Sequence, residues 1–372
     1  MIGASLAIVL SYLSYHKINV FPGITSGGYF IASFTIWFGI LLFILSMFRM
    51  DFTTVQLIES YVVSVAFFLF VNLYVVNRRK MVLGVVTSAG TLQLPQVERI
   101  EWYQLVHPDV PLPPLRGVVV DLNGDHADAW SSRIAAFALE GIPVYNVKDV
   151  VENLTGMVQI RHLSENTLGS INPNDNYLLV RSIADALFAL ASLLILAPLL
   201  CVVAIAIKLD SPGPVFFRQA RMGFRARPFT VLKFRSMTHD EREPDDRGNA
   251  VTRPNDPRIT RVGAFIRRTR IDEIPQLFNV IRGEMGLIGP RPEALPLARW
   301  YELEIPFYHY RHIIKPGITG WAQVNQGHVH ELTDVSQKLH LDFYYVKNIS
   351  FWLDMLIVLK TIHVVFNGMG AR

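Results

Sequence analysis

Ile183–Ile207 reads IADALFALASLLILAPLLCVVAIAI, an apolar run long enough to cross a bilayer, with Pro198 inside it. Its flanks decide how the run is used. Arg181 precedes it, Lys208 follows it, and soluble-looking sequence lies on either side. Upstream, Asn77-Arg78-Arg79-Lys80 closes an earlier apolar stretch, and the positive-inside rule makes that end cytoplasmic. Downstream, Arg and Lys crowd into residues 208–315, a pattern suited to an anionic partner. Both flanks therefore read as lying on one side. Proline removes a helix hydrogen bond and favours a bend. The run is predicted to enter the membrane, bend at Pro198 and return, with a straight span that tolerates its proline as the alternative.

Three further apolar stretches open the chain: Ile2–Tyr15, Tyr29–Phe48 and Ser60–Val76. The second and third approach spanning length, and the first is short. A cleaved signal peptide suits the start less well, because no basic segment precedes the apolar one. Half of the 372 residues are hydrophobic, which is high for a soluble protein, and the length suits two or three domains. The net charge is only +4, but few charges fall in the first 75 or so residues. The single cysteine, Cys201, excludes an intrachain disulfide and a thiolate zinc cluster.

Between these regions the pattern changes. Met81–Thr87, Arg116–Asp121 and Ile142–Val147 read as short buried strands, and Ala127–Glu140 as a helix between two of them. That order argues a small α/β unit with parallel strands. Its first turn, Val86-Thr87-Ser88-Ala89-Gly90, lacks the glycines that let a backbone approach a pyrophosphate, so a structural or regulatory role is favoured over a dinucleotide site.

The chemistry centres on Ile266-Arg267-Arg268-Thr269-Arg270-Ile271-Asp272-Glu273-Ile274-Pro275-Gln276. Taken alone, either carboxylate could cap a helix starting near Pro275, with the arginines in solvent. The company argues otherwise. Lys233-Phe234-Arg235 follows an apolar strand-like run, Gly289-Pro290-Arg291-Pro292 is a stiff turn presenting one arginine, and Asn255–Arg261 and Arg311–Gly320 add basic turns. Gathered in space, these groups would hold a diphosphate, with a carboxylate bringing Mg²⁺.

Lys208–Arg372 resembles the bacterial sugar transferases, the monotopic polyprenyl-phosphate phosphoglycosyl transferases. Five stretches carry the likeness, in order: Phe217-Arg218-Gln219 through Arg221-Met222-Gly223; Lys233-Phe234-Arg235-Ser236-Met237; Ile271-Asp272-Glu273-Ile274-Pro275-Gln276; Gly289-Pro290-Arg291-Pro292; and Lys315-Pro316-Gly317-Ile318-Thr319-Gly320-Trp321-Ala322-Gln323-Val324. The upstream part is similar to the family's long form. The resemblance implies a membrane α/β protein. Its parts would be transmembrane helices in 1–80, a degenerate Rossmann-like domain in 81–178, and in 179–372 a re-entrant helix with a mixed, mainly helical catalytic domain. It implies that Asp272 attacks the sugar-side phosphate of a UDP-hexose, releasing UMP, and that undecaprenyl phosphate then takes the sugar phosphate from the aspartate. Glu273 would either bind metal with Asp272 or assist proton transfer. Lys233, Arg235, Arg267, Arg268, Gln276, Arg291, Arg311 and Lys315 would bind substrate, with Mg²⁺ as cofactor. The location implied is the bacterial inner membrane, with catalysis on its cytoplasmic face and with lipid and a second copy of the chain as candidate partners. The product would start an exopolysaccharide, capsule or O-antigen. The sugar stays open between glucose, galactose and an N-acetylated hexosamine. Three features depart from the family pattern: three N-terminal stretches instead of four, Met285-Gly286 for Met-Ser, and Ile271 for Leu.

Other features carry less. His328-Val329-His330 and His340 lack the spacing of a helical zinc pair. Asp240–Arg247 reads as a solvated loop that could fold over substrate, and Trp300, Tyr301, Phe307, Tyr308 and Tyr310 as core or as an aromatic belt. The tail Phe351–Phe366 reads as an interfacial or core helix. No RNA-binding motif accompanies the basic turns, which argues against nucleic acid. The rival reading is a non-catalytic, membrane-anchored nucleotide-sugar sensor or export scaffold, which would have no need of the Asp272-Glu273 pair.

Overall fold

The computed structural model describes residues 2–18, 28–50, 52–71, 74, 81–86, 94–97, 100–110, 113–122, 128–159, 175–238, 256–326 and 332–366. The chain divides into two compact units, Met1–Met157 and Val158–Arg372.

The first unit begins with three helices, α1 (Ile2–Ile18), α2 (Gly28–Met47) and α3 (Thr54–Val71). They meet through aromatics. Phe30, Phe34 and Phe38 of α2 are buried with Ala7, and the Phe68 ring lies 5.5 Å from that of Phe34. Other large apolar side chains, such as Phe43, Val63 and Phe67, face outward. Phe30–Met47 and Thr54–Val71 are long and apolar enough to cross a membrane, and α1, at 17 residues, is shorter. The third helix starts earlier than the apolar pattern suggests, because Gln56 and Glu59 interrupt that pattern without breaking the helix. Residues 75–80, with the basic cluster used for orientation, lie outside the described residues, as does the turn at Thr87–Gly90.

A four-stranded sheet follows: β1 (Met81–Val86), β2 (Ile100–Leu105), β3 (Gly117–Val120) and β4 (Val144–Asn146), in the order β2-β1-β3-β4 with every neighbour parallel. Parallel sheets need cover on both faces. Here α4 (Asp128–Leu139) covers one, with Trp130 and Phe137 against Val86, Leu105, Val118 and Val120. The other is covered by α5 (Val147–Thr155), whose Val147, Val150 and Val151 meet Leu83, Val85 and Val119. Asn146 starts α5 by accepting the Lys148 N–H at 3.1 Å, and Gly156 ends it in the left-handed conformation at φ 69°. Strand β2 and helix α5 are not evident in the sequence pattern. Ile100-Glu101-Trp102-Tyr103-Gln104-Leu105 is an edge strand, half exposed, and so lacks the unbroken apolar run of a buried parallel strand.

The second unit opens with α6 (Asp175–Asp210), which is helical throughout, Pro198 included. One side of α6 is buried along much of its length. Ala189 and Leu193 pack with Val231, Leu277, Val280 and Met285, and Val203 and Ile207 with Phe234 and Ile266. Its other side exposes Leu187, Phe188, Leu194, Ile195, Val202 and Ile205. Against the buried side lie the antiparallel hairpin β5 (Phe216–Met222) and β6 (Pro228–Phe234), then α7 (Arg261–Arg268) and α8 (Gln276–Ile281). Next come β7 (Gly286–Ile288), α9 (Leu295–Glu304) and β8 (Gly317–Thr319), with β7 and β8 parallel. The two strands cross so closely that a Cβ on Gly317 would sit 2.1 Å from the Gly289 nitrogen, so no larger residue fits there. The chain finishes with α10 (Trp321–Asn325), α11 (Leu332–Lys347) and α12 (Phe351–Phe366). Helix α12 buries Leu353, Leu356 and Ile357 and exposes Phe351, Val358, Ile362 and Val365, so the tail has a core face and an apolar outer face.

Candidate active site

Thr260 starts α7 by accepting the Gly263 N–H at 2.9 Å. Gly263 is pressed on the strand exit: a Cβ there would lie 2.0 Å from the Ser236 carbonyl oxygen. The helix ends at Arg268, and two residues on, Arg270 adopts the left-handed conformation (φ 59°, ψ 14°) and turns the chain into a short 3₁₀ turn, Ile271–Glu273. Ile271 packs into the cluster of Val203, Ile207, Phe234 and Ile266, while Ile274 packs into that of Ala189, Leu193, Val231 and Leu277. Two apolar pins thus hold two carboxylates between them. Helix α8 begins at Pro275, and no side chain caps it. The capping reading of Asp272 and Glu273 therefore fails.

The two carboxylates have opposite surroundings. Glu273 Oε1 accepts Lys233 Nζ at 2.8 Å and Arg291 Nη2 at 2.7 Å, with Arg270 Nη1 at 4.0 Å. Burial alone would raise its pKa, but Arg291 and Lys233 overturn that and hold the carboxyl well below its usual range. Asp272 Oδ1 is buried with no hydrogen-bond partner among the described residues. Burial, and then the charge of Glu273, push Asp272 up to about 6 against the pull of Lys233, Arg267 and Arg270. Lys233 is itself pushed down to about 8, mainly by burial, with Glu273 opposing the shift.

Lys233 and Arg291 are placed by the fold around them. Asn279, fully buried on α8, accepts the Leu232 N–H at 3.1 Å and donates to the Thr230 carbonyl at 2.7 Å, which fixes β6 beside Lys233. The turn after β7 carries Arg291 and is gripped from behind. Arg311 donates to the Arg291 carbonyl at 3.0 Å and to the Tyr308 hydroxyl at 2.7 Å, and pairs with Asp342 at 2.7 Å. Arg221 donates to the Pro292 carbonyl, and Lys338 pairs with Glu293.

The structure brings together Asp272, Glu273, Lys233 and Arg291, with half-buried Arg267 close enough to act on Asp272. Arg268 is exposed at the end of α7, and Gln276 is buried at the start of α8. Three expected substrate groups are engaged elsewhere. Arg235 is buried and donates to the carbonyls of Pro212 (2.8 Å) and Ser211 (2.6 Å), locking the end of α6. Arg311 lies behind the turn, and Lys315 donates to Ser182 at 2.8 Å. One residue not singled out from the sequence joins the site. Arg221 lies on the Lys233 face of the hairpin, since Arg221 pairs with Phe229 and Phe217 with Lys233; burial, then Arg291, lower it to about 10. Strand alternation was the available signal.

No three His, Cys, Asp or Glu side chains cluster as a metal site among the described residues. The donor set nonetheless fits Mg²⁺, which binds through one or two carboxylates and completes its shell with substrate phosphates. The buried, unpartnered Asp272 Oδ1 beside Glu273 is that kind of donor. His328, His330 and Asp240–Arg247 lie outside the described residues, while His340 is half-buried and lowered by burial. Tyr301 and Tyr308 belong to the core, their rings 5.4 Å apart.

This geometry, a carboxyl kept free among cations on a membrane-associated fold, defines a class: a phosphate-handling transferase. The bacterial sugar transferase family model matches residues 176–368, and the chain belongs to that family. It is 41% identical over its whole length, covering 87% of the relative, to a UDP-N-acetylgalactosamine-undecaprenyl-phosphate N-acetylgalactosaminephosphotransferase of Aeromonas hydrophila. Over 52% of the chain it is 42% identical to UDP-glucose:undecaprenyl-phosphate glucose-1-phosphate transferases of Xanthomonas campestris pv. campestris and Escherichia coli (strain K12), covering 40% and 41% of those proteins. The chain is thus a membrane-associated enzyme, and the scaffold alternative is set aside.

Proposed function

We propose that the protein transfers a hexose-1-phosphate from a UDP-sugar to undecaprenyl phosphate, releasing UMP, through a phosphosugar–Asp272 intermediate. The observation that carries this reading is the contrast between Asp272, raised and with Oδ1 unpartnered among the described residues, and Glu273, pinned by two cations. In the first step an Asp272 oxygen bonds to the sugar-side phosphorus, and the bond from that phosphorus to the UMP oxygen breaks, UMP taking the electron pair. In the second, a phosphate oxygen of the lipid bonds to the same phosphorus and the Asp272 carboxylate leaves. Dividing one transfer in two is covalent catalysis, and phosphoryl transfer depends chiefly on charge neutralisation. Lys233, Arg267 and Arg291 supply that charge. Glu273 holds Lys233 and Arg291 in place, so its role in this reading is orientation. Asp272, with Glu273 beside it, would hold Mg²⁺ against the diphosphate, where the ion neutralises developing charge.

The anchoring reading has its own support. Asp185 and Arg181 near one end of α6 contact β7, and Asp210 near the other end accepts the Val262 N–H at 3.0 Å. A straight helix of 36 residues is about 54 Å long, against a hydrocarbon core of roughly 30 Å. Both ends bind one folded unit, which favours a membrane helix that returns to its side of entry, the cytoplasmic face of the inner membrane. The order β2-β1-β3-β4 is a doubly wound order of the flavodoxin-like kind, which supports a nucleotide-fold-like α/β middle domain. Such a transfer would initiate a lipid-linked polysaccharide. The full-length relative makes UDP-N-acetylgalactosamine the first donor to test, with UDP-glucose second.

The test is UMP release by the purified protein in nanodiscs given undecaprenyl phosphate, Mg²⁺ and a panel of UDP-sugars, with Asp272→Asn in parallel. Release from one donor that is lost in the variant is the expected result. A folded wild type that releases no UMP from any donor overturns the reaction, and a fully active Asp272→Asn overturns the intermediate.

A further inference from the structure

The site description leaves one polar cluster unused, and it sits on the membrane helix. Arg181 and Asp185 stand one turn apart on α6, with Arg181 Nε and Asp185 Oδ2 3.8 Å apart. Asp185 Oδ2 accepts the Leu287 N–H at 3.1 Å, and Arg181 Nη2 donates to the Ile288 carbonyl. Two side chains of a membrane helix thus hold the backbone of β7 at consecutive residues. Arg181 is itself held from behind: Nη1 donates to the Tyr345 hydroxyl at 2.7 Å, and Nε lies 3.3 Å from Asp354 Oδ2. Asp354 in turn accepts the hydroxyls of Tyr345 (2.6 Å) and Tyr177 (2.7 Å). Tyr345 and Asp354 are buried, Arg181, Asp185 and Tyr177 are half-buried, and the groups bond to one another, which makes the cluster a brace instead of a pocket.

What the brace supports is the catalytic turn. From Ile288 the chain runs through Gly289 and Pro290 to Arg291. Neither intervening residue is loose. Pro290 has a fixed φ, and a Cβ on Gly289 would lie 2.5 Å from the Lys315 carbonyl oxygen. Both are buried. A displacement of the Ile288 carbonyl therefore passes to Arg291, whose guanidinium meets Glu273 at 2.7 Å. Hydrogen-bond geometry loses strength steeply with misplacement, so a small shift matters there.

We propose that Arg181 and Asp185 are positioning residues for the transferase reaction: from the membrane helix they set the place of β7 and thereby aim Arg291 at Glu273 and the donor phosphates. This rests on the reading of Arg291 as a phosphate-site residue given above. The reaction centre is then built in part by the anchor, and the seating of the helix is coupled to the aim of the arginine.

A double-mutant cycle on the full-length protein in nanodiscs tests this, because residues acting through one another lose rate non-additively. Initial rates of UMP release are measured for wild type, Arg181→Gln, Arg291→Lys and the double variant. Arg181→Gln is expected to lower kcat by about 10- to 100-fold, the range for residues that orient a reacting group. The double variant should be no slower than Arg291→Lys by more than about threefold, the scatter of independent measurements at that level. Losses that multiply, or an unchanged kcat in Arg181→Gln, overturn the proposal. Full activity in Arg291→Lys overturns the catalytic reading beneath it, a separate outcome. Should Arg181→Gln fail to fold, Asp185→Asn replaces it in the cycle; it keeps the shape of the side chain and is held to the same criteria.

Discussion

The second unit has two layers of basic side chains, and they differ in what their nitrogens touch. In front, Lys233 and Arg291 meet a single carboxylate oxygen of Glu273. Behind, Arg181, Arg235 and Arg311 spend their donors on backbone carbonyls at Ile288, Ser211, Pro212 and Arg291. A guanidinium whose terminal nitrogens are turned onto backbone carbonyls is held away from a phosphate, whereas one that shares a carboxylate oxygen keeps donors to offer. Richness in arginine thus has two separate meanings in one domain: the back layer shapes the turn, and the front layer, in the function proposed above, would meet the substrate.

Substitutions should separate these meanings. Asp272→Asn, which removes the proposed nucleophile beside the pinned Glu273, should lower UMP release by more than about 10³-fold. Because the folded-state pKa of Asp272 is raised to about 6, ionisation at neutral pH opposes folding, so the same variant should melt higher than wild type in thermal unfolding. Arg291→Ala should cost on the order of 10²- to 10³-fold in kcat while the melting temperature changes far less than in the back layer. Arg311→Met reverses that pattern. It leaves Asp342 buried without its cation and should destabilise the fold by about 3–5 kcal/mol, measured by thermal or denaturant unfolding.

The pH profile gives a gentler test. Activity should fall below about 6 as Asp272 takes up a proton and ceases to be a nucleophile, and above about 8 as Lys233 loses its charge. Lys233→Arg should remove the alkaline limb from kcat/KM and leave the acid limb in place. A limb that persists in this variant would show that another group titrates there. The smallest effect belongs to Arg268→Ala, exposed at the end of α7, which should stay within about twofold of the wild-type rate.

The sequence reveals residue types and order, and its failures follow from what it leaves out. Lys233 and Arg235 are two apart, which on a strand means one face. But β6 ends at Phe234, so Arg235 leaves the pleat and turns into the end of α6. Arg311 stands in a run of basic and aromatic residues that suits phosphate, and only folding shows that Tyr308, Asp342 and the Arg291 carbonyl engage its two terminal nitrogens. The strands β1, β3 and β4 are legible because they lie in short apolar runs between turns, while β2 is hidden by Glu101 and Gln104, which break its apolar run. Asp272 and Glu273 are legible as a pair, yet nothing in their order says that one would be pinned and its neighbour left free. That division arises from the 3₁₀ turn and from which carboxylate the turn aims at Lys233.

Ile271 and Ile274 have a consequence for where the chemistry happens. Each is sunk into a different stretch of α6, one beside Val203 and Ile207, the other beside Ala189 and Leu193. The Asp272 carboxyl and helix α6 are therefore joined through packed side chains on both sides of the turn. In the reaction proposed above, the height of the reacting phosphorus above the hydrocarbon would be a dimension of the fold, set when the chain folds and not each time a lipid arrives. A lipid acceptor would then present its headgroup at the level where it already floats, and its long apolar tail would not have to leave the bilayer.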